Sequence, residues 1–399
     1  MDMQIQRLFS DRVAGLCRFF PAIVLTGARQ SGKTTLLRQL FPGYAYVSLD
    51  LPDAAARAEH SPEEFFARYQ APLIVDEVQY APGLFRHLKT VIDADRTTPG
   101  RYILTGSQLF PLMQEVADSL AGRCAVLELE NLTLSEIRQA EVREYTLAER
   151  IVRGQFPELW RQQDLPSNEY YASYLATYLE RDVRQIMNVR SLRDFERFLR
   201  ILASRSGNML NMSDVARDVG VSVKAIGDWV SILEASGQIA LLEPWFTNFG
   251  KRLVKTSKLY FRDSGLLCFL LGLNPSGLLE SPFLGAVWET FVFAELRKGA
   301  GLAQHPGKFW YYRDQRAREV DFLYENNGRL DFMECKWMEH PGKKETAILA
   351  TVADELDRSS LPWKSAARRI LTSGSTSWPL APGIEAVGYP EIMGLVMER

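Results

Sequence analysis

The chain has 399 residues, of which 46% are hydrophobic and 24% are charged, and its formal net charge is -2 at pH 7. This length predicts two or three domains with packed cores. The near-neutral charge excludes an overall attraction to nucleic acid, so a basic surface has to be local. The four cysteines lack C-x-x-C spacing, which argues against a zinc site or a disulfide framework.

We expect a cytoplasmic protein without a membrane partner. The N-terminal segment does not have the pattern of a secretory leader. The longest continuous apolar run, Leu266–Leu271, is too short to span a bilayer.

A glycine-rich loop follows the first predicted strand. Ala22–Leu25 is an apolar run, and the next residues read GARQSGKTT before a helical pattern that reaches Leu40. Strand, glycine-rich loop, Lys-Thr and helix together match the phosphate-binding loop called Walker A. Backbone N–H groups of such a loop surround phosphate oxygens. The predicted ATP-binding residues are Gly27, Ala28, Arg29, Gln30, Ser31, Gly32, Lys33, Thr34 and Thr35.

Two side chains of this loop have separate predicted roles. Lys33 neutralises the β- and γ-phosphates, and Thr34 binds Mg²⁺ through its hydroxyl.

The apolar run that ends in Asp76 and Glu77 matches a Walker B strand. Asp76 is then an Mg²⁺ ligand, directly or through water, and Glu77 orients or deprotonates the attacking water.

A further strand, Arg101–Ser107, ends in small hydroxyl residues. We expect it between the two Walker strands, where Thr105 or Ser107 contacts the γ-phosphate or the water. Ordinary turn chemistry around Gly106 is the alternative.

Arg123 ends a predicted helix just before an edge strand. It either reaches the γ-phosphate of a neighbouring subunit, which requires a homo-oligomer, or is a solvated surface arginine.

The chain resembles a family of bacterial and archaeal AAA-type ATPases. The resemblance is carried by the phosphate-binding loop, Leu73–Glu77, Ile103–Ser107 and the LAGR that ends at Arg123. In that family, a C-terminal domain of unknown function with a restriction-endonuclease-like core follows the ATPase. The resemblance covers nearly the whole chain and implies ATP and Mg²⁺ as ligands. Its motifs are specific for nucleotide and leave the cellular task open.

Three predicted helices and a β-hairpin between residues 191 and 262 suggest a winged helix-turn-helix. Ser213 and Ser222 are the expected N-caps of its second and third helices. A basic cluster near the hairpin is the candidate DNA contact, and a structural or partner-docking role is the alternative. The cluster consists of Lys251, Arg252, Lys255 and Lys258, with Trp245 and Phe249 nearby.

A second hairpin carries the pattern of PD-(D/E)xK nucleases. Its strands meet at Asn327-Gly328, a strong turn signal, and Glu334 and Lys336 share one strand face. Asp321 and Glu334 are candidate metal ligands, Lys336 would steady a hydroxide, and a helical Glu289 would complete the set. Val320 stands where the pattern has proline. The alternative is an ordinary hairpin with a surface Glu–Lys pair.

These patterns predict an α/β chain with four parts: a P-loop AAA-type ATPase domain (1–135), a helical connector (136–190), a winged helix (191–262) and a nuclease-like domain (263–399). The expected function is Mg²⁺-dependent ATP hydrolysis coupled to nucleic-acid binding or processing. The alternatives are a regulatory ATP switch that binds DNA or protein without cleaving, and a protein-remodelling ATPase. The choice between ATP and GTP stays open.

Overall fold

The structure, a computed structural model, describes residues 5–106, 119–178, 192–245 and 256–397. It divides into two compact units. The first contains residues 1–132, 156–158 and 235–237, and the second contains the remainder. Three predicted features lie partly outside the described residues: Ser107, residues 111–118 of the helix predicted before Arg123, and Phe249, Lys251, Arg252 and Lys255 of the predicted basic cluster.

A five-stranded parallel sheet forms the centre of the first unit, with the strand order β2-β3-β4-β1-β5. Tyr102–Thr105, the strand of the predicted Arg101–Ser107 segment, therefore lies between the two Walker strands as predicted. The strands are β1 (Ala22–Thr26), β2 (Ala45–Ser48), β3 (Leu73–Asp76), β4 (Tyr102–Thr105) and β5 (Cys124–Glu128).

Helices cover this sheet. The central strands β1, β3 and β4 are buried along their whole length, as expected for parallel strands covered on both faces. After β3, a 3₁₀ turn at Val78–Tyr80 precedes the helix that begins at Leu84. The helices are α1 (Ser10–Leu16), α2 (Lys33–Leu40), α3 (Pro52–His60), α4 (Pro62–Arg68) and α5 (Leu84–Ala94).

The second unit begins with short helices. Thr133 caps the first of them: its hydroxyl accepts a hydrogen bond from Glu136 N–H, and the Glu136 carboxylate accepts one from Thr133 N–H. The two bonds form a complete capping box. The tyrosine-rich helix is described as far as Tyr178. The helices are α6 (Leu134–Ala140), α7 (Leu147–Arg153), α8 (Pro157–Arg161) and α9 (Ser167–Tyr178).

Three helices and a two-stranded antiparallel sheet follow, in the predicted order. The cap prediction at Ser213 is wrong: the Asn211 side chain accepts hydrogen bonds from the N–H groups of Ser213 and Asp214. Ser222 does accept a hydrogen bond from Ala225 N–H at 3.1 Å, as expected for a cap. The elements are α10 (Leu192–Ala203), α11 (Met212–Val219), α12 (Val223–Ala235), β6 (Ile239–Leu242) and β7 (Lys258–Phe261).

A six-stranded mixed sheet forms the C-terminal part, with the order β12-β13-β11-β10-β9-β8. The turn between β9 and β10 has positive φ at Asn327 (52°) and Gly328 (73°), which are the angles of a type I′ hairpin. The predicted hairpin is therefore confirmed. The strands are β8 (Lys308–Arg313), β9 (Glu319–Asn326), β10 (Arg329–Lys336), β11 (Lys364–Thr372), β12 (Trp378–Ala381) and β13 (Ile384–Gly388).

Helices pack on this sheet, and the longest of them carries Glu289. Trp288, the residue before Glu289, is buried and donates from its indole N–H to the carbonyl oxygen of Leu371 at 3.4 Å. Among the described helices, none is long and apolar enough to cross a membrane. The helices are α13 (Ser264–Leu271), α14 (Pro275–Glu280), α15 (Leu284–Leu302) and α16 (Ala347–Arg358).

Asp263 ties three segments of the second unit together. Its carboxylate accepts hydrogen bonds from Leu266 N–H at 2.9 Å, Gln155 N–H at 2.8 Å and the Tyr171 hydroxyl at 2.7 Å. Asp263 is therefore the N-cap of α13, and the same carboxylate satisfies two distant donors. Asp263 is buried, so water cannot replace these bonds.

We expect Asp263→Ala to lower the free energy of unfolding by about 3 kcal/mol, because it leaves buried donors without acceptors. Urea unfolding followed by circular dichroism measures the change. The control is Asp228→Ala, which removes an exposed carboxylate. Equal stability of the two variants would contradict the prediction.

Candidate functional site

The loop between β1 and α2 needs glycine at two positions. Gly27 has φ 140°, and a Cβ there would lie 2.3 Å from the carbonyl oxygen of Leu129. Gly32 has φ 91° and directly precedes α2. These values explain why the loop can curl at the N-terminus of the helix, where backbone N–H groups remain available for an anion.

Lys33 lies inside this loop. Its ammonium is 2.9 Å from the carbonyl oxygens of both Gly27 and Ala28, and its residue is only 6% exposed. Ser31 is fully buried, and its hydroxyl has no hydrogen-bond partner among the described residues. A buried hydroxyl without a partner fits a loop that surrounds phosphate oxygens.

Arg7 holds the loop from outside, and the sequence analysis missed it. Its guanidinium donates to the carbonyl oxygen of Ser31 at 2.8 Å and to that of Glu130 at 2.7 Å. It thereby joins the phosphate-binding loop to the chain after β5. A single arginine near the N-terminus has no sequence pattern that predicts these backbone contacts.

The other predicted ATP-binding residues lie in the loop or in the first turn of α2. Gln30 has a positive φ of 60° in the turn of the loop. Thr35 lies in the first turn of α2. Ala28 and Arg29 continue directly from Gly27. Nothing in these positions tests the individual roles, which stay predictions.

Asp76 connects the two Walker motifs. Its Oδ2 accepts hydrogen bonds from the Thr34 hydroxyl and the Tyr46 hydroxyl, each at 2.8 Å. Its Oδ1 accepts a hydrogen bond from the Thr105 hydroxyl. Burial, followed by the contact with Asp76, raises the pKa of Tyr46 to about 12. A hydroxyl and a carboxylate side by side offer the oxygen ligands that Mg²⁺ prefers.

Glu77 follows Asp76 in a left-handed conformation, with φ 57° and ψ 47°. This conformation is costly for a residue with a side chain and occurs most often at functional sites. The Thr105 hydroxyl accepts a hydrogen bond from Glu77 N–H at 3.3 Å. Thr105 thus contacts both carboxylate residues, and Gln79 donates to the Glu77 carboxylate.

Of the two sensor candidates, Thr105 is the one that the structure describes, and it lies beside the Walker B residues. Ser107 lies outside the described residues. The assignment of the sensor role to Thr105 or to Ser107 stays open.

Arg123 lies at the other end of the sheet. Cys124 pairs with Ala22 at the start of β1, whereas the phosphate-binding loop follows the end of that strand. The Arg123 guanidinium forms a two-point ion pair with Asp93, at 2.8 and 2.9 Å. This pair lowers the pKa of Asp93 below its usual value. Arg123 therefore does not reach the loop of its own subunit.

The second candidate site gathers the nuclease-pattern residues of the C-terminal sheet. Asp321 on β9 accepts a hydrogen bond from Cys335 N–H on β10 at 2.8 Å. Lys336 donates to Glu334 at 2.8 Å, so the two side chains share a strand face as predicted. Burial, and then the charge of Asp321, raises the pKa of Glu289 to about 7 and that of Glu334 to about 8.

These four predicted side chains therefore lie together, as the hairpin geometry predicts. Within the described part of the chain, no group of three or more His, Cys, Asp or Glu side chains has the arrangement expected around a metal ion. Metal binding by Asp321 and Glu334 stays a prediction.

Lys258 corrects the interpretation of the first hairpin. Its side chain is 3% exposed and its ammonium is 3.0 Å from Glu289 and 2.5 Å from Glu319. It cannot serve as a DNA-facing residue. Tyr260, two residues further along β7, also donates to Glu289. The alternation of Lys258 and Tyr260 along the strand was the available signal, since residues two apart share a face.

Comparisons with known proteins divide the chain into three matched regions. Residues 20–138 match the family model described as AAA domain. Residues 144–277 and 284–392 match two domains of unknown function, DUF8612 and DUF4143. The AAA match covers every described residue of the first candidate site except Arg7.

The uncharacterized protein Rv2008c of Mycobacterium tuberculosis is 31% identical over 382 residues, which cover 94% of this chain and 81% of that protein. The uncharacterized protein Mb2031c of Mycobacterium bovis has the same identity and coverage. Among solved structures, the Walker-type ATPase PABY2304 of Pyrococcus abyssi is 15% identical with a TM-score of 0.46, over 67% of this chain and 96% of that one.

The matched AAA region contains the Gly27–Thr35 loop and the Asp76-Glu77 strand end. The chain therefore belongs to the same family as the mycobacterial protein Rv2008c, and its first domain is an AAA domain of the P-loop ATPase type.

Proposed function

We propose that the chain is an Mg²⁺-dependent ATPase that couples nucleotide hydrolysis to nucleic-acid binding by its second unit. The observation that supports the ATPase assignment most directly is the contact between Thr34 and Asp76, whose oxygens are 2.8 Å apart. It brings the two motifs into one site, with Thr105 and Glu77 beside them.

Each side chain of this site has a distinct proposed role. Lys33 binds the β- and γ-phosphates from inside the loop, and the loop N–H groups orient them. Thr34 and Asp76 would hold Mg²⁺, which neutralises phosphate charge when it is bound. Glu77 orients the attacking water or takes its proton, and Thr105 fixes the position of the Walker B end.

We predict that Lys33→Ala abolishes ATP binding, whereas Glu77→Gln retains binding and lowers turnover at least about a hundredfold. Lys33 meets phosphate charge in the ground state, and Glu77 acts on the water. Calorimetric ATP titration and phosphate release measure the two effects. Lys89→Ala and Glu64→Gln are matched controls at exposed positions of the same unit. Normal turnover in Glu77→Gln would show that the Walker B assignment is wrong.

We also propose that Arg123 acts on the nucleotide of a neighbouring subunit in a homo-oligomer. Arg123 lies at the far end of the sheet from the phosphate-binding loop of its own subunit. A contact with nucleotide would therefore have to form across a subunit interface. The Asp93 ion pair would have to open for this role.

Mixing Arg123→Ala with Lys33→Ala subunits tests this proposal. One variant keeps an intact nucleotide pocket and the other keeps the arginine, so we expect the mixture to hydrolyse ATP faster than either variant alone. Steady-state phosphate release at several protein concentrations measures the rate. A rate per subunit that does not depend on concentration, with no gain on mixing, would contradict the role.

The proposed nucleic-acid contact is an arginine-lined groove on α10 and α11, the first two helices of the proposed winged helix. Arginine is suited to phosphate because its planar guanidinium donates in a fork geometry. In a chain with a net charge of -2, this groove is a local basic surface. The groove is lined by Arg193, Glu196, Arg197, Arg200, Ile201, Ser204, Arg205, Arg217 and Asp218.

The arginines of the groove differ in their partners. Arg205 pairs with Asp218 at 2.5 Å, and Arg217 pairs with Asp214 at 2.9 Å. Arg193 and Arg197 are exposed and stand one helical turn apart on α10. Within the described residues, neither has a carboxylate within ion-pair distance. These two arginines therefore have their charge available for a phosphate backbone.

We predict that the double variant Arg193→Ala/Arg197→Ala raises the Kd for duplex DNA about tenfold and reduces the slope of log Kd against log salt by about two. Fluorescence anisotropy at several salt concentrations measures both. Arg358→Ala is the control, since Arg358 is 79% exposed and lies outside the groove. If Kd and slope match those of the control, the groove does not bind DNA, and partner docking becomes the better interpretation.

A further inference from the structure

Lys258 brings a positive charge into the middle of the predicted nuclease site. Its ammonium is 2.5 Å from Glu319, 3.0 Å from Glu289 and 3.7 Å from Asp321. Three carboxylates at ion-pair distance favour the charged form of a lysine, so Lys258 is present as an ammonium.

The backbone of β7 fixes the position of Lys258 from both sides. On one side, Lys258 pairs with Leu242 of β6. On the other side, it forms a β-bridge with Met209. The ring of Tyr311, on β8, lies 5.6 Å from the ammonium. Because the strand is hydrogen-bonded on both sides, the backbone fixes the position of the Lys258 ammonium within the cluster.

The other charges of the cluster are also compensated within the protein. Glu319 pairs with Arg313 at 2.5 Å, and Glu334 pairs with Lys336 at 2.8 Å. Asp321 accepts a backbone hydrogen bond from Cys335 at 2.8 Å. A carboxylate cluster that binds a divalent cation relies on that cation to offset repulsion. Here the protein supplies its own cations.

We propose that Lys258 is the resident cation of this cluster and occupies the place where a divalent metal ion would bridge Glu289 and Asp321. A metal ion needs carboxylate oxygens at about 2.0–2.6 Å, and an ammonium in the same space prevents that approach by its volume and its charge. The cluster therefore takes no divalent metal while β7 holds Lys258 in place.

The absence of a metal ion from this cluster would leave the predicted nuclease-like domain without metal-dependent chemistry. Metal-dependent phosphodiester cleavage needs a cation that activates water and stabilises the leaving group. With Lys258 in the cluster, Glu289 and Asp321 join Glu319 in holding the β6–β7 hairpin to the sheet, and the cluster does not cut. This inference concerns the cluster alone and does not depend on DNA binding by the arginine-lined groove.

Mn²⁺ titration of the nucleotide-free full-length protein, followed by electron paramagnetic resonance, tests the proposal. The background variant is Asp76→Asn, which removes the carboxylate ligand proposed at the ATP site. We expect no Mn²⁺ site that depends on Asp321 in this background. Adding Lys258→Met should create one, with affinity raised at least about tenfold, and adding Asp321→Asn should remove it again.

Lys298→Met is the matched control. Lys298 is a buried lysine on α15 that pairs with Glu295 at 2.9 Å, with 2% exposure of each side chain. After its removal, the Glu295 carboxylate still accepts hydrogen bonds from Leu134 N–H and the Gln155 side chain, so we expect no gain of Mn²⁺ binding. The melting temperature should rise with Mn²⁺ in Lys258→Met and stay constant in Lys298→Met and in the background.

Two results would overturn the proposal. One is an Asp321-dependent Mn²⁺ site in the background protein, because metal and lysine would then coexist. The other is a folded Lys258→Met variant, by circular dichroism, that gains no site. If Lys258→Met does not fold, Lys258→Met/Glu319→Gln takes its place, since it removes one charge of each sign, and the same two results apply to it.

Discussion

The Asp76 carboxylate is the interaction on which the first unit depends. It accepts hydrogen bonds from Thr34 in the phosphate-binding helix, Tyr46 on β2 and Thr105 on β4. Asp76 and Thr105 are the last residues of neighbouring parallel strands, and Thr34 lies in the first turn of the helix that follows β1. The strand order brings them to one edge, and the carboxylate satisfies three hydroxyl donors there. An ATPase site needs this alignment because Mg²⁺ ligands and water-orienting groups must converge on one phosphate.

The second unit depends on a different balance, between burial of carboxylates and their compensation. Glu289 and Asp321 come from a helix and a strand that pack closely, and bringing such charges together out of water is unfavourable. Lys258 offsets that repulsion at distances of 3.0 and 3.7 Å. The same contact joins the hairpin of the proposed winged helix to the C-terminal sheet. In our proposal, the Lys258 ammonium both stabilises the packing of these carboxylates and prevents a divalent metal ion from binding them.

The sequence predicted the local features well. The loop at Gly27–Thr35, the strand end at Asp76 and the type I′ turn at Asn327-Gly328 all depend on neighbouring residues, whose conformational preferences act without the rest of the chain. The cap that Asp263 forms on α13 is local in the same sense. Its bonds to Gln155 and Tyr171 are not, since the donors are 108 and 92 residues away.

The sequence alone determined that this chain carries a nucleotide-binding loop, a Walker B strand and a carboxylate-bearing hairpin. Each is a short pattern whose meaning is set by backbone geometry and residue chemistry within a few positions. The tertiary structure decided what surrounds them: Arg7 behind the loop, Asp93 on Arg123, and Lys258 among the carboxylates. The sequence analysis assigned Lys258 to a basic surface. Its partner Glu289 is 31 residues away in the chain, so the contact between them forms only in the packed structure.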